Sequence, residues 1–186
     1  MSLAQIRFAY SQVKTKLGLI HIKGSDAKSF LGNQSTFDVN LLKENQFQLN
    51  SFLDPQGRIQ SYGWLLLKDN QYSYLVPPAL VDLSIERLNR FLISEDVEII
   101  EAGLQDCFFL LNSEKREGLA GTLFDQESHL TFSSTEAQEL TLAEVESFRI
   151  LTGYPEFNPE TFQSEIINNT HLFDLALSRN KGCYPG

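Results

Sequence analysis

The sequence predicts an α+β fold, because apolar strand-like runs alternate with turn residues and are interrupted by two helical patterns. The clearest strand signal is a hairpin around residues 54–57. The clearest helical signals are a leucine-rich stripe after residue 78 and a capping box at residues 141–144. The resulting order of strand, helix, hairpin, helix and strand fits the α+β class.

The first predicted elements are a strand and a helix. Residues 17–23 are β-rich and are followed by a glycine, so we expect a strand that ends in a turn. Ser25 is a suitable N-cap for the next helix, and Phe30 and Leu31 supply its apolar face. Residues 36–42 are expected to form a second, short helical piece.

The hairpin is predicted from two strand-like runs, residues 47–53 and 58–67, which flank the turn Asp-Pro-Gln-Gly. Proline fixes φ in such a turn and glycine lets the chain recover, so the two runs should pair. Residues 72–76 add a strand, and two prolines then begin a helix. That helix should bury one apolar stripe, made of Leu80, Leu83, Leu88, Phe91 and Leu92.

Three more strands are predicted in the second half of the chain, over residues 96–102, 107–112 and 129–132. Cys107 lies among phenylalanine and leucine residues. We therefore expect it to be a buried core thiol with no chemistry of its own.

A helix and a docking segment are predicted after these strands. The capping box opens a helix that runs to about Thr152, where Gly153 ends it. Residues 172–177 are a short apolar piece that should pack on the core.

Composition indicates an ordinary globular protein and argues against several functional classes. The chain has 186 residues, a formal net charge of −9 and a pI near 4.8, which disfavours direct binding of nucleic acid. Its two cysteines have no partner at metal-ligand spacing, so we expect no metal site. No apolar run approaches a bilayer span and no signal-like stretch opens the chain, which predicts a cytoplasmic protein without membrane contact.

The best functional clue is the terminal cluster Lys181, Gly182, Cys183 and Tyr184. A neighbouring ammonium and the backbone N–H groups of a glycine turn favour the thiolate, which is the reactive form of cysteine. The same residues could equally form an ordinary turn around a small buried thiol. Residue types alone leave both interpretations open.

A second candidate site lies on the strand after the hairpin. Arg58, Tyr62 and Trp64 alternate and should share one face, where a cation and two aromatic rings could hold a flat anionic ligand. An ordinary amphipathic strand explains the same pattern.

Four blocks of sequence, in order, carry a resemblance to a known family. They are the terminal Lys-Gly-Cys-Tyr-Pro-Gly at residues 181–186, and the earlier residues 24–39, 53–58 and 149–155. With these blocks the chain resembles the YgfZ-type folate-binding proteins, relatives of the glycine cleavage T-protein, whose signature runs Lys-Gly-Cys-Tyr-x-Gly-Gln-Glu.

The resemblance implies two intertwined α+β subdomains with antiparallel sheets and packed helices, like the folate-binding domain of the T-protein. Residues 21–104 would form a subdomain inserted into a second one built from residues 1–20 and 105–186. The C-terminal barrel of such proteins would be absent from this chain.

The resemblance also implies a ligand, a role and a set of site residues. Tetrahydrofolate or a derivative would bind in a cleft, and the protein would maintain iron–sulfur enzymes, including those that modify tRNA, with these enzymes or cluster carriers as partners. Cys183 would be the functional thiol, Lys181 would tune it, and Gly182 and Tyr184 would shape its turn.

One departure from the T-protein pattern bears on the reaction. T-proteins carry a pair of aspartates just after the hairpin glycine, where this chain has Gln60, Ser61 and Tyr62 nearby. These side chains cannot replace a carboxylate in acid–base catalysis at neutral pH, so a folate-dependent aminomethyltransferase is the disfavoured alternative. A third alternative is a non-catalytic interaction module with a buried Cys183.

Overall fold

The computed structural model describes residues 10–112, 117–156, 165–182 and 185. Strands β1 to β8 span, in chain order, Ser11–Lys23, Gln46–Leu53, Ile59–Lys68, Gln71–Val76, Glu98–Leu111, Leu119–Leu123, Gln126–Thr131 and Gln138–Glu139. Helices α1 to α4 span Ala27–Gln34, Val81–Arg90, Leu142–Thr152 and Leu172–Leu175. Single 3-10 turns lie at Val39–Leu41, Pro78–Leu80 and Ile167–Asn169.

Seven of the strands close into a barrel. Around the ring the order is β1, β4, β3, β2, β6, β7 and β5, and β5 pairs again with β1. Neighbouring strands are antiparallel, except that β2 and β6 run parallel and pair through Gln46 and Ala120. Strand β8 adds to β1 outside the ring, in parallel. Closure removes most of the unpaired sheet edges that an open sheet would expose.

The closed barrel corrects the predicted architecture. The α+β class is confirmed, but the expected antiparallel sheets with packed helices are replaced by one closed sheet with few helices. The physical reason is the length of β1 and β5, which pair with each other from Ser11 opposite Leu111 to Lys23 opposite Glu98. This long ladder closes the ring, so one sheet forms instead of two.

A bulge explains why β5 was predicted as two strands. The register between β1 and β5 shifts between Gly18 and Ile20, and Gly103 on β5 has φ +76°. A bulge bends and twists a strand without ending it, so the apolar pattern is interrupted while the ladder continues. The predicted subdomain boundaries at residues 20/21 and 104/105 fall beside this bulge, and the division into two subdomains stays a prediction.

Aromatic side chains fill the barrel. The ring of Trp64 on β3 lies 5.2 Å from that of Phe109 on β5, and the ring of Phe47 on β2 lies 5.6 Å from the same Phe109. All three are at most 2% exposed. Such contacts between opposite walls identify the inward face of each strand.

Helix α2 packs on the outside of the barrel, against β3 of the β2–β3–β4 wall and against β1 and β5, and its Arg87 bonds Gln34 of α1. Phe30 and Leu31 of α1 and Leu88 of α2 are buried, as predicted, whereas Leu83 of α2 is 40% exposed and leaves the predicted stripe. The outward face of the wall also carries Tyr74, whose ring packs 4.9 Å from that of Phe52. This wall is therefore buried on both faces.

Most predicted local features are confirmed, and one predicted helix cap is wrong. The hairpin, the 3-10 turn after α1, the capping box and the buried position of Cys107 are confirmed. Helix α1, however, starts after Asp26, and Ser25 instead donates hydrogen bonds from its backbone N–H and its hydroxyl to Asp96 Oδ2. Ser25 therefore bonds Asp96, a residue distant in sequence, and does not cap α1 as predicted.

Candidate functional site

The hairpin turn holds its own carboxylate. Asp54 Oδ1 accepts backbone N–H bonds from Gln56 at 2.9 Å and from Arg58 at 2.8 Å. Arg58 is exposed at the end of the hairpin, next to Ile166 in an isolated bridge. Asp54 therefore acts as a turn residue, and Arg58 lies outside strand β3.

Tyr62 and Trp64 share the inward face of β3, as their alternation predicts. They are 1% and 2% exposed, respectively, and Trp64 packs on Phe109 as part of the core. Arg58 is exposed and precedes the first residue of β3, so it does not share the buried environment of Tyr62 and Trp64. The predicted role of these three residues in ligand binding stays a prediction.

A polar cluster at one end of the barrel surrounds the Tyr62 hydroxyl. That hydroxyl donates to the backbone carbonyl of Glu156, and burial, followed by the charge of Glu156, raises the pKa of Tyr62 well above its ordinary value. The Glu156 carboxylate lies 3.2 Å from Arg149 Nη2, and Arg149 also binds Glu146 at 2.9 Å and the Tyr154 carbonyl at 3.3 Å. A hydrogen bond from Arg149 to Glu146 raises the pKa of the guanidinium, which stays charged.

A cleft of about 550 Å³ adjoins this cluster, between β1 and α3. Its apolar floor includes Val13 and Val145. Its charged lining consists of Lys14, Glu139, Glu146 and Glu156. The volume is in the range of small-molecule sites, and the three carboxylates would accept hydrogen bonds from N–H groups of a ligand.

The terminal segment, residues 176–182, is held against the chain that follows α1. Thr36 Oγ1 donates to the Ala176 carbonyl at 2.7 Å, and Ser178 N–H donates to the Thr36 carbonyl at 3.0 Å. The Ser178 hydroxyl accepts the backbone N–H of Asp38 at 2.9 Å. Docking of this segment on the core agrees with the prediction for residues 172–177, of which Leu172 is buried.

Lys181 is half-buried, and its ammonium faces backbone carbonyls. Nζ lies 2.7 Å from the Gly32 carbonyl and 3.3 Å from that of Phe37, and it also donates to the Ser35 carbonyl. Gly182 is exposed, with no atom within 4 Å of the place where a side chain would begin. Cys183 and Tyr184 lie outside the described residues, so the predicted roles of the cluster stay predictions.

A row of contacts connects the terminal segment with the Tyr62 cluster. Thr36 exchanges hydrogen bonds with Ser51 of β2, since Thr36 N–H donates to the Ser51 carbonyl and Ser51 N–H donates to Thr36 Oγ1. Ser51 is directly opposite Tyr62 in the β2–β3 ladder. Two strand spacings of about 4.8 Å therefore separate the backbones of Thr36 and Tyr62, so the contacts of residues 176–178 and the Tyr62 cluster lie at the same end of the barrel wall.

Sequence reasoning missed the charged residues of this region. The sequence patterns indicate Arg149 only as part of a block similar to the family, and they do not single out Glu156 or the buried Arg87. The i, i+3 spacing of Glu146 and Arg149 on α3 is a signal that could have indicated an ion pair. No signal in the sequence links Arg149 with Tyr62, because they lie 87 positions apart and meet only when the barrel closes.

Within the described part of the chain, no group of three or more His, Cys, Asp or Glu side chains could hold a metal ion. Among the helices of those same residues, none is both long and apolar enough to cross a bilayer.

Several known proteins with the same name are similar in sequence to this chain. No protein-family model matches the chain. The tRNA-modifying protein YgfZ of Buchnera aphidicola subsp. Schizaphis graminum is 24% identical over 90% of this chain and 64% of its own length. YgfZ of Vibrio vulnificus is 27% identical over 72% of this chain and 38% of its own, and YgfZ of Hamiltonella defensa is 34% identical over 44% and 24%.

One solved structure is also similar to part of the chain. A solved structure of the glycine cleavage system aminomethyltransferase T from Bartonella henselae covers 56% of this chain and 29% of its own, with a TM-score of 0.49 and 17% identity. The chain spans about 64% of the length of the Buchnera relative. The chain is therefore similar to several YgfZ proteins, in one case over nine tenths of its length.

Proposed function

We propose that the chain binds tetrahydrofolate or a derivative and serves as an accessory protein in the assembly or repair of iron–sulfur clusters, including those of tRNA-modifying enzymes. One observation carries the proposal: the cleft beside Tyr62, Arg149 and Glu156 lies at the same end of the barrel wall as the anchored terminal segment. Cys183 follows that segment directly in the sequence, and its thiol would act together with a ligand held in the cleft.

The chemistry of the cleft suits the heterocyclic end of a folate. That ring system is flat and carries several N–H donors, which the Glu146 and Glu156 carboxylates could accept. Arg149 holds both carboxylates in place and offsets their mutual repulsion. Lys14, on the opposite wall, would favour the anionic tail of the same ligand.

Cys183 is the residue that we propose for the second half of the function. A thiolate can bind a cluster iron as one of its ligands, or it can attack a partner disulfide, forming a mixed disulfide while the partner's other sulfur leaves as a thiolate. Replacing Cys183 with Ala should abolish support of iron–sulfur enzymes in cells while folate binding is retained. Unchanged enzyme activity with the Cys183→Ala protein would refute this part of the proposal.

Folate binding can be tested by titration, because the chain contains one tryptophan, Trp64, on the same inward face as Tyr62. Tetrahydrofolate should quench its fluorescence in a saturable manner. Glu156→Gln should weaken the affinity about tenfold, since a charged acceptor is replaced by a neutral one. The matched control is Glu86→Gln, which alters an exposed carboxylate that also pairs with an arginine. Absence of saturable binding would overturn the proposal.

The alternative is a folate-dependent one-carbon transferase of the aminomethyltransferase kind. It is disfavoured because Ser61 is buried in hydroxyl contacts with Ser84 at 2.6 Å and Tyr74 at 3.3 Å, while the Tyr62 phenol is held in its neutral form. Neither group can serve as a base at neutral pH. Turnover of an aminomethyl donor in the presence of tetrahydrofolate would decide for the transferase.

A further inference from the structure

The ammonium of Lys181 meets the end of a helix. Two of its carbonyl partners belong to Gly32, in the last turn of α1, and to Ser35, which follows the helix as its C-cap. The third belongs to Phe37, two residues after Ser35. Three carbonyl oxygens match the three N–H donors of an ammonium group.

This contact provides hydrogen-bond donors to carbonyl groups at the C-terminal end of α1. The last four carbonyls of a helix have no partner within it, and their dipoles leave a partial negative charge at that end. Helix α1 has no basic residue in its own last turn. Lys181, distant in sequence, supplies the missing cation from the terminal segment.

Because Lys181 is half-buried, its ammonium depends on these carbonyl acceptors. Desolvation lowers the pKa of Lys181, so the ammonium loses hydration that only well-placed acceptors can replace. Arg179, two residues earlier in the same segment, contrasts with it. Arg179 is exposed and pairs with the exposed Asp174 at 2.7 Å, an interaction of the kind that contributes little.

We propose that Lys181 is a positioning residue, whose ammonium completes the C-terminal end of α1 and thereby fixes the terminal segment against residues 32–38. This inference rests on the proposed function, in which the thiol of Cys183 acts just beyond that segment. It assigns to Lys181 the placement of the thiol, whereas the resemblance implied that Lys181 tunes its ionisation.

The two roles can be separated with Lys181→Met. If Lys181 positions the segment, amide hydrogen exchange over residues 32–37 and 176–182 should accelerate about tenfold or more, because local opening becomes easier. The midpoint of the Cys183 alkylation rate against pH should stay within about 0.3 pH units of the unmodified protein. If Lys181 tunes the thiol, loss of the nearby cation should raise that midpoint by roughly 1 unit or more.

Controls keep both readouts interpretable. Arg179→Met removes a cation from the same segment and should change neither readout. Lys181→Arg should give an intermediate acceleration even if Lys181→Met fails to fold, since a planar guanidinium keeps the charge but cannot direct three donors to one point. Cys107, whose pKa is raised to about 12 by burial, should remain unmodified in peptide mass spectra.

Exchange rates that stay the same in Lys181→Met and Lys181→Arg would overturn the proposal, and so would a rise of the alkylation midpoint by roughly 1 unit. Neither readout involves folate or an iron–sulfur enzyme. A failure of the positioning role is therefore distinguishable from a failure of the proposed function, which the fluorescence titration and the Cys183→Ala protein test separately.

Discussion

The Tyr62 hydroxyl donates a hydrogen bond to the backbone carbonyl of Glu156, and this bond joins the barrel wall to the chain that follows α3. Tyr62 is buried on the inward face of β3, opposite Ser51. Glu156 in turn pairs with Arg149 through its side chain. The carbonyl and the carboxylate of one residue therefore tie the end of the barrel to the helix that lines the cleft.

Removal of this hydroxyl should loosen that connection. Tyr62→Phe is expected to lower the free energy of unfolding by about 1 kcal/mol, because the Glu156 carbonyl loses its donor and the ring is retained. Denaturant unfolding with an unchanged m-value would measure the loss. Tyr72→Phe is the control, since Tyr72 is also a buried tyrosine on the same sheet, and its hydroxyl makes no hydrogen bond among the residues that the structure describes. Equal effects of the two substitutions would contradict the expectation.

The buried guanidinium of Arg87 connects three elements. Nε and Nη2 donate to the Leu53 carbonyl at 3.0 and 2.8 Å, Nη1 donates to Gln34 at 2.9 Å, and the group lies 3.9 Å from the centre of the Phe91 ring. Arg87 is 5% exposed and belongs to α2, while Gln34 ends α1 and Leu53 ends β2. Burial lowers its pKa to about 10, so the folded state holds this cation at a cost.

We expect Arg87→Met to destabilise the protein by about 2 kcal/mol, because two buried acceptors lose their donors and the relief of the buried charge only partly compensates. Arg90→Met, on the exposed side of the same helix, should change stability by less than about 0.5 kcal/mol. Chemical denaturation of both variants gives the comparison. A more stable Arg87→Met protein would mean that desolvation outweighs the hydrogen bonds.

The sequence predicts the local elements better than it predicts the closure of the barrel. The turn at residues 54–57, the capping box of α3 and the buried Cys107 depend on neighbours in sequence, and these were found. The barrel depends on pairing of β1 with β4 and of β2 with β6, and a period of two residues does not specify the partner strand. The Tyr62–Glu156 contact was missed for the same reason, since it forms only across the closed sheet.

Acid should weaken the contact between β1 and β4 through His21. Gln71 Nε2 lies 2.7 Å from His21 Nδ1, and the Ser73 hydroxyl lies 2.9 Å from the same atom. In this arrangement the Gln71 amide N–H donates to Nδ1, which corresponds to a neutral imidazole. Burial, and then the charge of Lys23, lowers the pKa of His21 from its ordinary value of 6.5.

The sign of the pH effect follows from this lowered pKa. The unfolded chain binds a proton near pH 6.5 more readily than the folded protein does, so stability should fall as the pH drops from about 7 towards 5. His21→Gln keeps a polar group but no titration, and its melting temperature should depend less on pH across that window. A pH dependence identical to that of the unmodified protein would show that His21 does not contribute.

The end of α3 should tolerate no side chain at Gly153. This residue has φ +68°, and a Cβ there would lie 2.5 to 2.9 Å from atoms of His171, at the start of α4. Gly153→Ala is therefore expected to cost about 1–3 kcal/mol, through left-handed strain and the displacement of His171. The matched control is Gly32→Ala in α1, where nothing lies within 4 Å and helix propensity should make the change neutral or stabilising by up to about 1 kcal/mol. Thermal unfolding of the two variants would decide, and a Gly153→Ala protein as stable as Gly32→Ala would mean that the α3–α4 contact is not held by this glycine.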